Sequence, residues 1–267
     1  MEKNRYTSAL IGIPLVILIF LIGNKYIVDI SMSIISMIAM NEYFNAISKV
    51  AMPVKWIGYV SCLSIAVLHI IPNEILMQAL LFAVPAILLI LFLHVILTEM
   101  RITVKDIAYT FFGICYVVFF MMFIALIAGR DNGKILVWFT IISAWVTDIF
   151  AYFVGKTIGK HKFSKISPKK SIEGCIGGTF FAVIILLGYM FISNTYWGTN
   201  YSYINVTWIG LLLSLIGQIG DFSASCIKRY VDIKDYSNLI PGHGGILDRM
   251  DSFLFIAPFA YLLFGIM

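Results

Sequence analysis

Charged residues are scarce in this sequence. Only 12% of the 267 residues are Asp, Glu, Lys or Arg, whereas 61% are hydrophobic and the mean hydropathy is +0.95. A soluble domain usually carries about 25% charged residues, and disordered chains combine low hydrophobicity with high charge. The composition therefore excludes both classes and indicates a polytopic membrane protein.

Cysteine is also scarce: the sequence contains four cysteines, and they show no paired spacing. They lie mostly in apolar runs, at Cys62, Cys115, Cys175 and Cys226. Disulfide frameworks and zinc sites are recognised by paired or regularly spaced cysteines, so neither is expected. The chain also lacks matching halves with Gly- or Pro-interrupted spans, the pattern typical of many transporters.

Long apolar segments fill most of the chain. A transmembrane helix needs about 20 largely apolar residues, and we place nine such segments at 8–24, 26–47, 56–72, 75–97, 107–128, 135–155, 177–193, 204–227 and 247–266. This pattern predicts an all-α membrane bundle of about nine transmembrane helices. We expect a single membrane domain over 1–267, with an apolar half at 1–130 and a half at 131–267 that carries the polar motifs.

The basic residues are distributed unevenly between alternate loops. With the N-terminus inside, 3 of the 19 Lys and Arg residues lie outside (Lys25, Arg130 and Lys134), which leaves 16 inside. Lys and Arg near the ends of spans are enriched on the cytoplasmic side. The distribution predicts an N-in, C-out topology in the cell membrane.

The second predicted span is interrupted by two acidic residues. Asp29 falls near the predicted outer interface, and Glu42 lies deeper, within Asn41-Glu42-Tyr43. Ionisable groups inside a membrane are costly, which makes a functional role the default hypothesis. For Glu42, a position in a pocket and an interhelical hydrogen bond fit the sequence equally well.

A basic loop separates the sixth and seventh predicted spans. It runs from Lys156 to Glu173, contains six lysines and one acidic residue, and follows Asp148, which lies inside an apolar run. Such lysines can anchor a loop at anionic lipid head groups. Together with Ser167, Ser171 and nearby glycines they can also bind polyphosphate. Composition alone fits both interpretations.

The densest polar cluster lies between residues 221 and 251. Asp221, Ser225 and Lys228 are spaced i, i+4 and i+7, so they share one face of a helix. Asp248 and Asp251 are spaced i, i+3 and likewise share a face at the start of the last predicted span. Two helix ends that carry carboxylates are thus predicted at the inner interface.

Paired carboxylates of this kind suit Mg²⁺, which usually takes one or two carboxylates, water and phosphate oxygens. A network of Asp–Lys and Asp–Arg ion pairs that fixes the helices together fits the same residues. The segment His243-Gly244-Gly245 favours a metal site over this network, because a purely structural network would not need such a segment. Glycines let a loop turn tightly and approach a ligand closely.

Residues 225–251 resemble the signature of the phosphatidate cytidylyltransferase family, also called CDP-diacylglycerol synthases. The match is complete over 27 positions, from Ser225-Cys-Ile-Lys228-Arg229 to Leu-Asp248-Arg249-Met-Asp251. The segments around Asp148 and over 167–174 also resemble that family's second conserved region. The resemblance at the level of motifs therefore covers about 148–251.

The resemblance implies a nucleotidyltransferase that converts CTP and phosphatidic acid into CDP-diacylglycerol and pyrophosphate in phospholipid biosynthesis. It implies Mg²⁺, with a monovalent cation such as K⁺ beside it, a homodimer, a site open to the cytoplasm, and no nucleic-acid partner. Asp221 and Asp248 would hold the metal and, with Ser225 and Lys228, form the catalytic set. Substrate contacts are expected from Asp148, Ser167, Lys169, Lys170, Arg229, His243, Gly244, Gly245 and Arg249.

Two alternative functions stay open at this point. A related CTP-dependent transferase would act on another lipid, such as an ether-lipid phosphate, because the motif specifies the head-group chemistry better than the tails. An ion-coupled transporter would use the intramembrane acids to carry ions. The clustering of the polar motifs on the predicted cytoplasmic side argues against the transporter.

Overall fold

The computed structural model describes residue 14 and residues 16–164, 167, 170–240 and 244–267. Within these ranges every regular element is helical, and two isolated bridges, Lys162–Ser171 and Ile240–Gly244, complete the backbone pairing. The predicted all-α class is therefore confirmed.

The chain groups into two compact units. The first unit consists of Met1–Gly129 and Val231–Arg249, and the second consists of Arg130–Tyr230 and Met250–Met267. The expected single membrane domain with halves at 1–130 and 131–267 stays a prediction.

The first unit is built around one central helix. Its helices are α1 (Lys25–Ile47), α2 (Lys55–Leu63), α3 (Asn73–Leu97), α4 (Val104–Gly113) and α5 (Phe120–Ala128). A 3₁₀ turn over Ser64–Val67 extends α2, and a π-helical stretch over Ile114–Phe119 joins α4 to α5. Helix α1 packs against α2, α4 and α5, and its Met40, Tyr43 and Phe44 are fully buried.

The second unit contains the remaining long helices. They are α6 (Gly133–Ile158), α7 (Ile172–Tyr196), α8 (Tyr203–Tyr230) and α9 (Leu247–Leu263), followed by a 3₁₀ turn over Phe264–Ile266. The first three residues of α9 belong to the first unit. Helices α6, α7 and α8 pack against one another.

Seven helical segments within the described ranges are long and apolar enough to cross a membrane. They are Lys25–Ile47, Asn73–Leu97, Val104–Ala128, Gly133–Ile158, Ile172–Tyr196, Tyr203–Tyr230 and Leu247–Ile266. Each coincides with a span expected from the sequence, which confirms a helical protein with multiple candidate spans. The first expected span, 8–24, lies mostly outside the described residues. The total of nine and the N-in, C-out orientation stay predictions.

The segment expected at 56–72 is shorter than the sequence suggests. Its helix and 3₁₀ turn end at Val67. The fully buried Asp29 carboxylate accepts hydrogen bonds from the backbone N–H of His69 at 3.1 Å and from its ring Nδ1–H at 2.8 Å. Because this N–H donates to a side chain and not to a carbonyl of the preceding turn, the helix does not continue past this point.

Small residues let α6 and α7 approach closely beside Asp148. A Cβ at Gly174 would lie 2.5 Å from the Ala151 carbonyl oxygen, and a Cβ at Gly178 would lie 2.7 Å from that of Thr147. A small residue at every fourth position allows this close packing between membrane helices. The glycines of α7 therefore fix the segment of α6 that carries Asp148.

A chain of buried and half-buried hydroxyl and amide groups joins the same helices. The Thr147 hydroxyl of α6 donates to Ser214 of α8 at 2.9 Å, and Ser214 donates to Thr179 of α7 at 3.0 Å. The Gln218 side chain of α8 also donates to Thr179, at 2.9 Å. In an apolar surrounding such groups must pair with one another, so they set the register of the three helices.

Gly178→Ala is expected to destabilise the protein, by about 1–3 kcal/mol, because the new methyl group would meet backbone atoms of α6. The measurement is thermal unfolding in detergent. Gly188→Ala on the same helix is the matched control, since a Cβ there has nothing within 4 Å. Equal melting temperatures for the two variants would contradict the close packing of α6 and α7.

Candidate active site

Three aspartates lie close together in the second unit. Asp148 belongs to α6, Asp221 to α8 and Asp251 to α9. Asp251 is only 9% exposed and lies within electrostatic range of Asp148, Asp221 and Lys228. We call these three aspartates the carboxylate cluster. Like charges repel one another, more so in a medium of low dielectric constant, so the cluster favours nearby cations such as Lys228.

One lysine of the basic loop contacts this cluster directly. Lys170 Nζ forms an ion pair with Asp221 Oδ2 and lies 4.5 Å from the centroid of the Phe222 ring. The Phe163 ring stacks on the same Phe222 ring, with the two centroids 4.7 Å apart. The structure thus brings together Lys170 and Asp221, which the sequence placed in separate motifs.

The motif residues of α8 lie on one continuous helix. This helix runs from Tyr203 to Tyr230, so the expected helical spacing of Asp221, Ser225 and Lys228 is confirmed. All three side chains are half-buried, whereas Arg229 is exposed. The helix therefore presents one carboxylate, one hydroxyl and one ammonium group along a partly covered face.

Asp148 is tied to α9 by a residue that the sequence did not single out. The Ser252 hydroxyl donates to Asp148 Oδ2 at 3.0 Å and is 3.4 Å from Oδ1. Asp251 belongs to the carboxylate pair that the sequence predicted on the last span, but it was not among the site residues implied by the family resemblance. No spacing rule links Ser252 to Asp148, because the contact depends on helix packing.

In the first unit, Asp248 organises the segment that precedes α9. We call residues 231–246 the motif loop. Asp248 Oδ2 accepts hydrogen bonds from the backbone N–H groups of Tyr236 at 2.8 Å and Gly245 at 3.0 Å, and the side chain is 7% exposed. One carboxylate oxygen therefore joins two parts of the loop that are nine residues apart. A carboxylate has about four acceptor positions, so these two bonds leave capacity for further partners.

Glu42 of α1 binds the same loop with its own carboxylate. It accepts hydrogen bonds from the Ser237 hydroxyl at 2.6 Å and from the backbone N–H groups of Ile246 at 3.0 Å and Leu247 at 2.8 Å. The sequence left open whether Glu42 faces a pocket or makes an interhelical hydrogen bond. The structure shows hydrogen bonds to a loop and to the first residue of α9.

A cavity of about 590 Å³ lies beside this contact in the first unit, and both Glu42 and Ser237 line it. Its other lining residues are Met37, Ile38, Asn41, Asn45, Tyr59 and Leu239. The Tyr59 hydroxyl donates to Asn41 at 2.9 Å across part of this wall. The cavity therefore combines amide and carboxylate groups with an apolar surface.

Two consecutive glycines lie against the two carboxylates of the first unit. Gly244 has a left-handed backbone, with φ of +87°, and a Cβ there would be 2.9 Å from Asp248 Oδ2. A Cβ at Gly245 would be 2.5 Å from Glu42 Oε2. Only glycine leaves room at both positions. Substrate contacts by these glycines stay a prediction.

The remaining predicted residues are placed as follows. The Ser167 carbonyl accepts a hydrogen bond from the Lys170 N–H at 3.1 Å, and Arg249 is exposed. Lys169 and His243 lie outside the described residues.

Among the residues that are described, no group of three or more His, Cys, Asp or Glu side chains is placed to hold a metal ion. Ligation by one or two aspartates plus phosphate is a separate arrangement, and it stays a prediction.

The chain is similar to known proteins over nearly its whole length. The profile of the Cytidylyltransferase family matches residues 3–267. A phosphatidate cytidylyltransferase of Bacillus subtilis (strain 168) is 36% identical over 192 residues, covering 71% of this chain and 68% of the relative. The one from Staphylococcus aureus (strain COL) is 33% identical over 269 residues, and that from Staphylococcus haemolyticus (strain JCSC1435) is 31% identical over 267 residues; each covers 98% of both chains. The similarity thus extends well beyond the motifs.

Asp248→Ala is expected to loosen the motif loop. Amide hydrogen exchange of peptides that contain Tyr236 and Gly245 should become faster by about 10-fold or more, because a hydrogen bond to a charged group contributes about 1.5–3 kcal/mol. Asp235→Ala, which changes an exposed acid of the same loop, is the control. Unchanged exchange in the Asp248 variant would contradict the role of Asp248 in holding the loop.

Proposed function

This chain belongs to the cytidylyltransferase family, and we propose that it is a phosphatidate cytidylyltransferase. It would condense CTP with phosphatidic acid to give CDP-diacylglycerol and pyrophosphate. The Lys170–Asp221 ion pair within the carboxylate cluster carries the proposal, because it joins the basic loop to α8, the helix that bears Asp221, Ser225 and Lys228. Cationic and anionic groups are thus combined in one place, as a reaction between two phosphates requires.

The proposed reaction joins two anions. A phosphate oxygen of phosphatidic acid attacks the α-phosphorus of CTP, a new P–O bond forms, and the bond to the β-phosphate breaks as pyrophosphate leaves. The attacking phosphate is already ionised at neutral pH, so no strong general base is required. The main tasks of the protein are to offset charge and to hold the reactants in line.

The basic and hydroxyl groups of the second unit suit these tasks. Lys228 lies near the carboxylate cluster, and Ser225 precedes it by one helical turn on α8. Lys170 would stabilise the charge that gathers on the leaving pyrophosphate. Further contacts to the substrates are proposed for Asp148, Ser167, Lys169, Arg229, His243, Gly244, Gly245 and Arg249.

We also propose Mg²⁺ as the cofactor, with a monovalent cation such as K⁺ beside it. Mg²⁺ needs only one or two carboxylates beside water and phosphate oxygens, and Asp251 is largely buried near two further carboxylates. Ligation by Asp221 and by Asp248 rests on the family resemblance. When bound, Mg²⁺ would act as a Lewis acid on phosphate oxygens.

The substrates suggest where the reaction takes place. CTP is water-soluble and phosphatidic acid lies in the bilayer, so the proposed site faces the cytoplasm at the surface of the cell membrane. The seven candidate spans agree with a multi-pass membrane protein. The homodimer expected from the family resemblance is retained as part of the proposal.

The proposed function is tested with purified protein in detergent, supplied with CTP, Mg²⁺ and phosphatidic acid. Release of pyrophosphate should require both substrates and should match the formation of CDP-diacylglycerol. Asp221→Asn is expected to lower kcat by about 10²–10³-fold, a typical loss for a group that stabilises charge in the transition state.

Asp131→Asn is the matched control for this variant, because Asp131 is an exposed aspartate of the loop before α6. It should retain the rate of the unchanged protein. Pyrophosphate release without a lipid acceptor would refute the proposed function. A normal rate for Asp221→Asn at limiting Mg²⁺ would refute the proposed role of Asp221.

Lys170→Met is expected to raise the KM for CTP by about 10-fold, which corresponds to a loss of about 1.4 kcal/mol. The reason is that the variant leaves the carboxylate cluster without its contacting ammonium group, so that repulsion of the polyphosphate increases. The KM for phosphatidic acid should change much less. Lys49→Met, which alters an exposed lysine after α1, is the control. If the KM for CTP is unchanged, the role of Lys170 is only structural, through its ion pair with Asp221.

A further inference from the structure

Glu42 is a buried acidic residue that needs hydrogen-bond donors or charged partners. It lies in an apolar helix, α1, and is only 3% exposed. Burial of an ionised carboxylate is strongly unfavourable unless charged partners or hydrogen-bond donors compensate it. The three donors described above, the Ser237 hydroxyl and the N–H groups of Ile246 and Leu247, supply this compensation. They come from residues about 200 positions later in the chain.

Two of these donors lie where α9 begins, because Ile246 directly precedes the helix and Leu247 is its first residue. The first N–H groups of a helix have no partner within the helix, and a negative charge near them is favourable. Glu42 therefore caps α9 from a different helix. The third donor, Ser237, lies next to Tyr236, whose N–H donates to Asp248.

Glu42 and Asp248 accept hydrogen bonds from neighbouring residues of the motif loop. Asp248 takes the N–H groups of Tyr236 and Gly245, and Glu42 takes groups from the residues that directly follow each of these, Ser237 and Ile246. The two carboxylates therefore hold adjacent residues at two places in the loop, 236–237 and 245–246. Movement of Glu42 would shift the backbone to which Asp248 is bound.

We propose that Glu42 is a positioning residue for the nucleotidyl transfer reaction, acting through Ser237 and the N-terminus of α9 to fix the Asp248 carboxylate. This inference rests on the proposed function, in which Asp248 belongs to the catalytic set. Glu42 itself contacts protein donors and is assigned no contact with the reacting atoms. It thereby extends the functional residues to the apolar half of the chain, outside the motifs.

The test compares Glu42→Gln with the unchanged protein. Glutamine has the same shape but only one acceptor oxygen, so at least one loop donor loses its partner. The expected result is a fall in kcat of about 10–100-fold, as for other displaced catalytic groups, with the KM for phosphatidic acid changed less than about twofold. Amide exchange of peptides spanning 236–247 should accelerate, while the melting temperature should stay close to that of the unchanged protein.

Two further variants separate positioning from general stability. Glu74→Gln alters an exposed acid at the start of α3 and should leave kcat and amide exchange unchanged. Ser237→Ala should lower kcat in the unchanged protein but have little further effect in the Glu42→Gln background, because groups that act through one contact are not additive.

A normal kcat for Glu42→Gln would overturn the inference. So would a loss of activity that follows the fraction of unfolded protein, or Glu42 and Ser237 effects that simply multiply.

The inference and the proposed function fail in different ways. If the unchanged protein releases no pyrophosphate, the proposed function is wrong, and the positioning role in that reaction fails with it. If the unchanged protein is active and Glu42→Gln alters neither kcat nor exchange, only the positioning role is wrong.

Discussion

The compensation of buried carboxylates is the constraint on which this structure depends. In a chain with 12% charged residues, an ionised side chain among apolar helices must find donors or cations, because water does not supply them in the hydrocarbon region. Asp29 is satisfied by His69, Glu42 and Asp248 by the motif loop, and Asp221 by Lys170. Each acid thus fixes a segment that lacks regular secondary structure of its own.

The two units meet this constraint by different means. The first unit uses backbone N–H groups and one hydroxyl, so that its two loop-binding carboxylates act as anchors for the segment before α9. The second unit combines its carboxylate cluster with two lysines, Lys170 and Lys228. Under the proposed function, the first unit holds the motif loop that precedes Asp248, and the lysines of the second unit offset the charge of the phosphates.

Much of the site was accessible from residue spacing. The i, i+4, i+7 pattern predicted the helix that carries Asp221, and the apolar runs predicted the positions of seven candidate spans. The early end of the helix before His69 was not predictable, because it depends on a hydrogen bond to Asp29, 40 residues earlier. Ser252 was missed for the same reason: its partner, Asp148, lies on a different helix, 104 residues away.

The amino-acid sequence by itself determined the class of the protein and its chemistry. Apolar runs of sufficient length specify membrane helices, and the motif residues identify the family, because both depend on local composition and order. Only the tertiary structure decided which donors satisfy Glu42, which acid pairs with Lys170, and why two consecutive glycines are needed beside Asp248 and Glu42. These contacts join residues up to 205 positions apart, and their distances are set by helix packing, which no local pattern encodes.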